Sequence, residues 1–182
     1  GTVLDISENF VEGGIVRAGE RLVLIDPAEA QSALDRVNSD LSDANLEQRE
    51  AVRAIELAQD EVAAAREQVA LRVKAFERQK DLAARGVGTA ATVETAELAA
   101  SSARQAVLAR RQALAQAEAR VEQATTRIAR AELAKADAMR KLENTEITAE
   151  FAGALSDVTT SRGGLVTTNE RVARLIDPDA LE

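Results

Sequence analysis

The chain carries nearly the same segment twice, once towards each end, and this duplication constrains its fold more than any other feature. Gly13-Gly14-Ile15-Val16-Arg17-Ala18-Gly19-Glu20-Arg21-Leu22 leads on to Leu24-Ile25-Asp26-Pro27. Gly163-Gly164-Leu165-Val166-Thr167-Thr168-Asn169-Glu170-Arg171-Val172 leads on to Leu175-Ile176-Asp177-Pro178, with one extra residue before its Leu-Ile-Asp-Pro. Each copy reads as short strands. Gly-Gly and Ala18-Gly19 (or Thr168-Asn169) mark turns, and the runs between them are aliphatic or β-branched. A copy of roughly 20 to 30 residues buries too little surface to stand alone. The two half-sheets are therefore expected to pack on each other as a small β-sandwich closed from both chain ends.

Between the copies the pattern is helical. Asp26-Pro27-Ala28-Glu29 is a start signal, with Asp as N-cap, Pro at the first helical position and Glu three residues after the cap. Heptad spacing then places Leu34, Leu41, Gln48, Ile55, Val62, Val69 and Phe76 on one row. Val37, Ala44, Ala51, Ala58, Ala65 and Arg72 form its companion. Arg85-Gly86-Val87-Gly88-Thr89 interrupts the run, with Gly86 suited to a helix C′ position and Thr89 to the next N-cap. A second heptad follows: Val93, Ala100, Val107, Leu114, Val121, Ile128, Lys135 and Leu142, accompanied by Ala96, Ala103, Arg110, Ala117, Ala124, Ala131 and Ala138.

In each helix one row is mostly bulky and the other mostly alanine. Folding back at the glycines sets large against small, for instance Leu34 with Ala138, Ile55 with Ala117, Phe76 with Ala96 and Ala58 with Val121. Both sets of pairs share an axis near Val87-Gly88. The spacing therefore predicts an antiparallel helical hairpin whose arms, at ~1.5 Å rise per residue, are about 85 Å long. Gln48, Arg72, Arg110 and Lys135 interrupt the seam and are expected at its edge, snorkelling or setting register. Composition agrees with long helices: 46% of the 182 residues are hydrophobic and 30% charged, but only 2% are aromatic.

The fold class expected is α+β. Residues 1–26 and 146–182 make the β domain, and 27–145 the hairpin, with helices 27–85 and 89–145 and a tip at 86–88. Gly1 opens abruptly in strand-like sequence and the chain stops just after a repeat, as expected of a segment trimmed from a longer protein.

Several chemistries are excluded at once. Cys and His are both absent, which removes thiol nucleophiles, disulfides, the usual zinc sites and His-based triads. A net charge of −8 without a basic block argues against nucleic acid as a partner. Paired carboxylates such as Asp60 with Glu61 belong to the solvated faces of charged helices, so no catalytic, metal or cofactor site is assigned. A single Met makes a methionine copper site untenable. A sandwich of two related halves is similar to lipoyl and biotinyl carrier domains, which need a lysine at a hairpin tip. The only lysines, Lys74, Lys80, Lys135 and Lys141, all lie in the helical section, so no swinging-arm cofactor is expected.

The tip is the feature left unexplained. Leu82 falls off both heptad rows, Val87 lies in the turn, and Arg78 shares a face with Leu82 one turn earlier. Apolar side chains at the end of a hairpin point to a contact surface.

With these residues in view, the chain resembles the periplasmic adaptor subunits, or membrane fusion proteins, of tripartite efflux and type I secretion systems (the HlyD-like family). The resemblance covers nearly all 182 residues. That family has a lipoyl-like domain, a barrel-sandwich hybrid, split by a helical hairpin. Its tip motif is Arg–Leu–Ser, with Leu four residues after Arg and Ser seven after Leu; the same spacing here gives Arg78, Leu82 and Thr89. Leu142, Thr145, Ile147, Ala149, Phe151 and Gly153 match the family's returning strand, with Glu150 where Pro is expected.

The resemblance implies a non-enzymatic adaptor, periplasmic and anchored to the inner membrane in the full protein. It would link an inner-membrane transporter, of the resistance–nodulation–division or ABC type, to an outer-membrane channel protein. Arg78, Leu82 and Thr89 would dock on the channel tip, copies would associate as a ring, and β-barrel and membrane-proximal domains would flank this segment. The other reading of the residues is a structural coiled-coil spacer or scaffold with no channel partner.

Overall fold

A computed structural model describes residues 1–167 and 170–177. Six strands and two helices follow in the order β1 (Val3–Ile6), β2 (Ile15–Val16), β3 (Arg21–Ile25), α1 (Ala28–Ala84), α2 (Ala90–Glu143), β4 (Glu146–Thr148), β5 (Gly153–Ser156) and β6 (Arg174–Ile176). The chain divides into two compact units, one made of residues 1–40 with 131–182 and the other of residues 41–130.

The first unit holds both sheets. The sequence pattern anticipates two half-sheets laid one on the other, but the strands are exchanged between the chain ends. One sheet runs β1-β3-β4 and the other β2-β5-β6, all neighbours antiparallel, so each contains strands from both ends. The reason is backbone satisfaction. Strands of two to five residues have too few partners within one copy, and the other copy supplies the missing donors and acceptors.

The duplication reappears as matched hydrogen bonds. Gly13 N–H donates to the Leu155 carbonyl at 2.8 Å, and Leu155 N–H donates to the Gly14 carbonyl at 2.9 Å. At the other end Gly163 N–H donates to Val3, and Val3 N–H to Gly164, both at 2.9 Å. Gly13 and Gly163 share a positive φ, 76° and 80°. The turn at Ala18-Gly19 is present; Thr168-Asn169 and Pro178 of the second copy lie outside the described residues.

Strand alternation then sorts the side chains. Val16 and its counterpart Val166 are buried, whereas the preceding Ile15 and Leu165 are more than two-thirds exposed. Val3, Phe10, Leu22, Val23, Ala149 and Leu155 join those two valines in one cluster that draws on both sheets. With a single aromatic ring and small aliphatics, this core depends on close packing rather than bulk.

Matched positions of the two copies carry matched carboxylates. A carboxylate oxygen of Glu20 accepts Arg17 N–H at 3.0 Å, and one of Glu170 accepts Thr167 N–H at 2.9 Å. The Arg17 backbone bond, then the Asn9 amide, hold the Glu20 carboxyl below its ordinary value of 4.5. The Thr167 backbone and hydroxyl do the same for Glu170.

The helices begin and end as their sequence dictates. The Asp26 carboxylate accepts Ala28 N–H at 3.0 Å, and Arg140 and Lys141 occupy the last turn of α2, where the helix dipole favours cations. α1 and α2 are a residue or two shorter at each end than the expected 27–85 and 89–145.

In residues 41–130 the two helices are cross-linked by side chains: Gln48 Nε2 donates to Thr125 Oγ1 at 3.1 Å, Arg110 to Glu61 at 3.0 Å, and Arg127 pairs with Glu47. Ile55 and Ala117, expected opposite each other, lie midway between the first two links, whereas Ala58 is level with Leu114 and not with the expected Val121. The alanine rows are the most buried part, with Ala44, Ala51, Ala58, Ala103, Ala117 and Ala124 all buried. Of the polar seam residues, Gln48 is half-buried and Arg110 exposed at the edge. Arg72 is likewise exposed, as expected of a cation at the seam edge, and Val73 beside it is half-buried.

Two outcomes follow from the sheets. Leu155→Ala removes a side chain only 2% exposed at the centre of the cluster and costs about 2–5 kcal/mol; hydrogen exchange of the β3 amides, speeded accordingly, measures it. For Glu20 and Glu170 the folded pKa is depressed, so their contribution is complete above 4.5 and is lost as pH falls through the lower folded value. Carboxyl chemical shifts are expected to show both groups titrating below 4.5, and Glu20→Gln to remove its share of the acid sensitivity.

Candidate functional site

The tip is built by backbone geometry before any side chain is considered. α1 stops because Gly86 takes φ 80°, a left-handed conformation that costs an ordinary L-residue about 1–2 kcal/mol. Gly86 N–H donates to Ala83 at 3.0 Å and Val87 N–H to Leu82 at 3.0 Å. These two bonds close a Schellman motif and satisfy carbonyls the helix end leaves bare. Gly88 N–H also donates to Leu82, at 3.2 Å. A Cβ at Gly88 would sit 3.0 Å from the Ala83 nitrogen and 3.2 Å from its Cα, so the returning chain passes tightly against the α1 backbone.

α2 opens with a reciprocal cap. Thr89 Oγ1 accepts Thr92 N–H at 3.3 Å, while Thr89 N–H donates to Thr92 Oγ1 at 3.3 Å. This is a capping box in which threonine occupies the place usually held by Glu or Gln. The sequence reading identifies Thr89 as the cap but misses Thr92, because its hydroxyl lacks the expected carboxylate or amide. The spacing Thr-x-x-Thr at a helix start is the signal that could have found it.

The three residues singled out from sequence are placed as follows. Arg78 is exposed on α1 and has no hydrogen-bond or salt-bridge partner among the described residues. Leu82 is half-buried rather than fully exposed, and its carbonyl receives both tip N–H groups. Thr89 is exposed, but its hydroxyl is engaged by Thr92. Val87 is the most exposed apolar side chain of the tip, at 78%. The turn thus joins Leu82 to Thr89 through Gly88, with Arg78 one helical turn behind Leu82.

The arrangement offers a cation and apolar surface beside a capped turn, which suits contact with another protein. No metal-binding cluster of three or more His, Cys, Asp or Glu occurs among the described residues. Among the described residues no helix is long and apolar enough to cross a membrane.

No family model and no curated protein sequence matches the chain. Solved structures similar to it include the periplasmic adaptor protein EmrA, at 16% identity and a TM-score of 0.44, covering 98% of this chain and 69% of that one. MacA from Actinobacillus actinomycetemcomitans is 19% identical with a TM-score of 0.38, covering 97% and 45%. The soluble domain of LipC, a membrane fusion protein of a type I secretion system, is 14% identical with a TM-score of 0.35, covering 97% and 96%. The chain therefore spans about two thirds of EmrA and under half of MacA.

Thr89→Ala is expected to lose the cap at a cost of about 0.5–2 kcal/mol, and Thr89→Ser to retain it. Faster exchange of the Thr92 amide in the alanine variant alone is the check.

Proposed function

We propose that this chain is the hairpin-bearing part of a periplasmic adaptor that connects an inner-membrane transporter to an outer-membrane channel protein. The observation that carries the reading is the tip: Arg78 and Leu82 stand at family spacing before a glycine turn rigidly capped by Thr89. The two sheets support it, because strands from both chain ends share one core while the helical segment is inserted between them in sequence. On this reading residues 1–26 and 146–182 form a lipoyl-like domain and 27–145 the hairpin.

The role is mechanical. Channel docking uses the Arg78 guanidinium as a donor to a carbonyl or carboxylate of the channel tip, and Leu82 with Val87 as the apolar contact. Thr89 holds the turn in shape, since its hydroxyl is already engaged. Copies stand side by side as a ring whose interior passes cargo from a transporter of the resistance–nodulation–division or ABC type. The protein works in the periplasm, held at the inner membrane by parts of the full protein outside this chain, and catalyses no reaction.

Arg78→Asp and Leu82→Asp separate this reading from that of a plain coiled-coil spacer. Each variant is expected to abolish capture of the channel protein and export by the complete pump, with helix content unchanged by circular dichroism. Full export by both variants would leave the spacer reading in its place.

A further inference from the structure

Within residues 41–130 the outward faces of the two helices carry charge patterns that nothing in the chain uses. On α1 the row turned away from the seam reads Arg53, Asp60, Glu67, Lys74, in signs plus, minus, minus, plus. All four are exposed and none forms a salt bridge among the described residues; Arg53 donates only to the Arg49 carbonyl of its own helix. On α2 the row along one edge of the seam reads Glu97, Arg104, Arg111, Glu118, the reverse signs at the same seven-residue spacing. These four are also exposed and without a salt-bridge partner among the described residues. Arg104 and Arg111 line, with Arg66, a groove of about 330 Å³ floored by Val69 and Val107. The three cations face no acid there.

The two rows lie at one level. The Gln48–Thr125 and Glu61–Arg110 bonds set the register of the hairpin, and in that register Arg53 is level with Glu118, Asp60 with Arg111, Glu67 with Arg104 and Lys74 with Glu97. They cannot meet within one chain, because the α1 row points away from α2. Beside them run rows of small and large side chains with matched volumes. Leu57 and Leu71, each 64% exposed, flank Ala64 on α1, while Leu108, 62% exposed, stands between Ser101 and Ala115 on α2. At the same register Leu57 is level with Ala115, Ala64 with Leu108 and Leu71 with Ser101. Large meets small three times in succession.

We infer that the outer face of α1 docks on the α2 edge of a second copy, level with it, through these charge and volume rows. The contact is heterologous: each copy offers one face and receives the other, so it repeats from copy to copy instead of ending at a dimer. Neither row complements itself, since each would set like charge against like at the same level. Four exposed ion pairs contribute little affinity individually, and the leucines supply the buried area; the charges select partner and register. The inference rests on the side-by-side assembly proposed above and names its surface.

The chain's lack of cysteine gives a clean test. Ala64→Cys and Leu108→Cys versions of the chain, co-expressed and oxidised, are expected to give a disulfide-linked heterodimer on a non-reducing gel. Neither alone should. Gln123→Cys, about 22 Å further along α2 than Leu108 at ~1.5 Å per residue, should not pair with Ala64→Cys. Adding Glu67→Arg to the Ala64→Cys chain should reduce the heterodimer to background, and Arg104→Glu in its partner should restore it. Equal cross-linking at residue 123 would show that copies assemble through another register, and would overturn the surface while leaving the assembly. No cross-link at any pair would overturn both.

Discussion

The strand entering the helical section and the strand leaving it are hydrogen-bonded to each other, and the rest of the first unit depends on that pairing. β3 lies antiparallel to β4, and Ile25 N–H donates to the Thr145 carbonyl at 2.8 Å. Nearly 120 residues separate these partners, so closing the loop carries a large entropic cost that a three-residue strand could not offset alone. Exchange of strands between the chain ends offsets it. β2 on β5, and Thr2 beside Leu165, add further pairing across still longer separations and gather eight buried side chains into one cluster.

The hairpin solves a different problem with the same economy of material. Two helices bury only a narrow stripe, and alanine in one row lets the backbones approach closely enough for small side chains to be fully covered. Val62 and Val107 are buried with them, and other bulky residues of the rows, such as Ile55 and Val69, are half-covered. Polar seam residues fall at the edge, where Arg110 reaches Glu61 and Gln48 reaches Thr125. These links define which residues stand level, and every surface pattern on the helices acquires meaning from that register. The charge rows of α1 and α2 are unremarkable strings until the register brings them to matching heights.

At the tip, function and fold compete for the same atoms. The Thr89 hydroxyl that a contact motif would present is engaged in capping, and Leu82 is half-covered while its carbonyl anchors the turn. On the proposed docking role, what is left for a partner is the Arg78 guanidinium, the outer part of Leu82 and the exposed Val87. The motif therefore reads as a turn-forming device whose rigidity makes two or three side chains available in a fixed arrangement.

Much was readable from the residues alone, and the reasons are local. Periodicity of seven, an Asp-Pro start, and a glycine break bounded both helices to within two residues, because capping and propensity act over one turn. The duplication announced a two-part β unit, and Thr89 announced its cap. Tertiary structure decided the rest. Which strands pair across 120 residues depends on the backbone donors each short strand lacks, a quantity no local pattern records. The level of each side chain on one helix against the other is likewise a property of the folded hairpin, fixed by contacts between residues far apart in sequence.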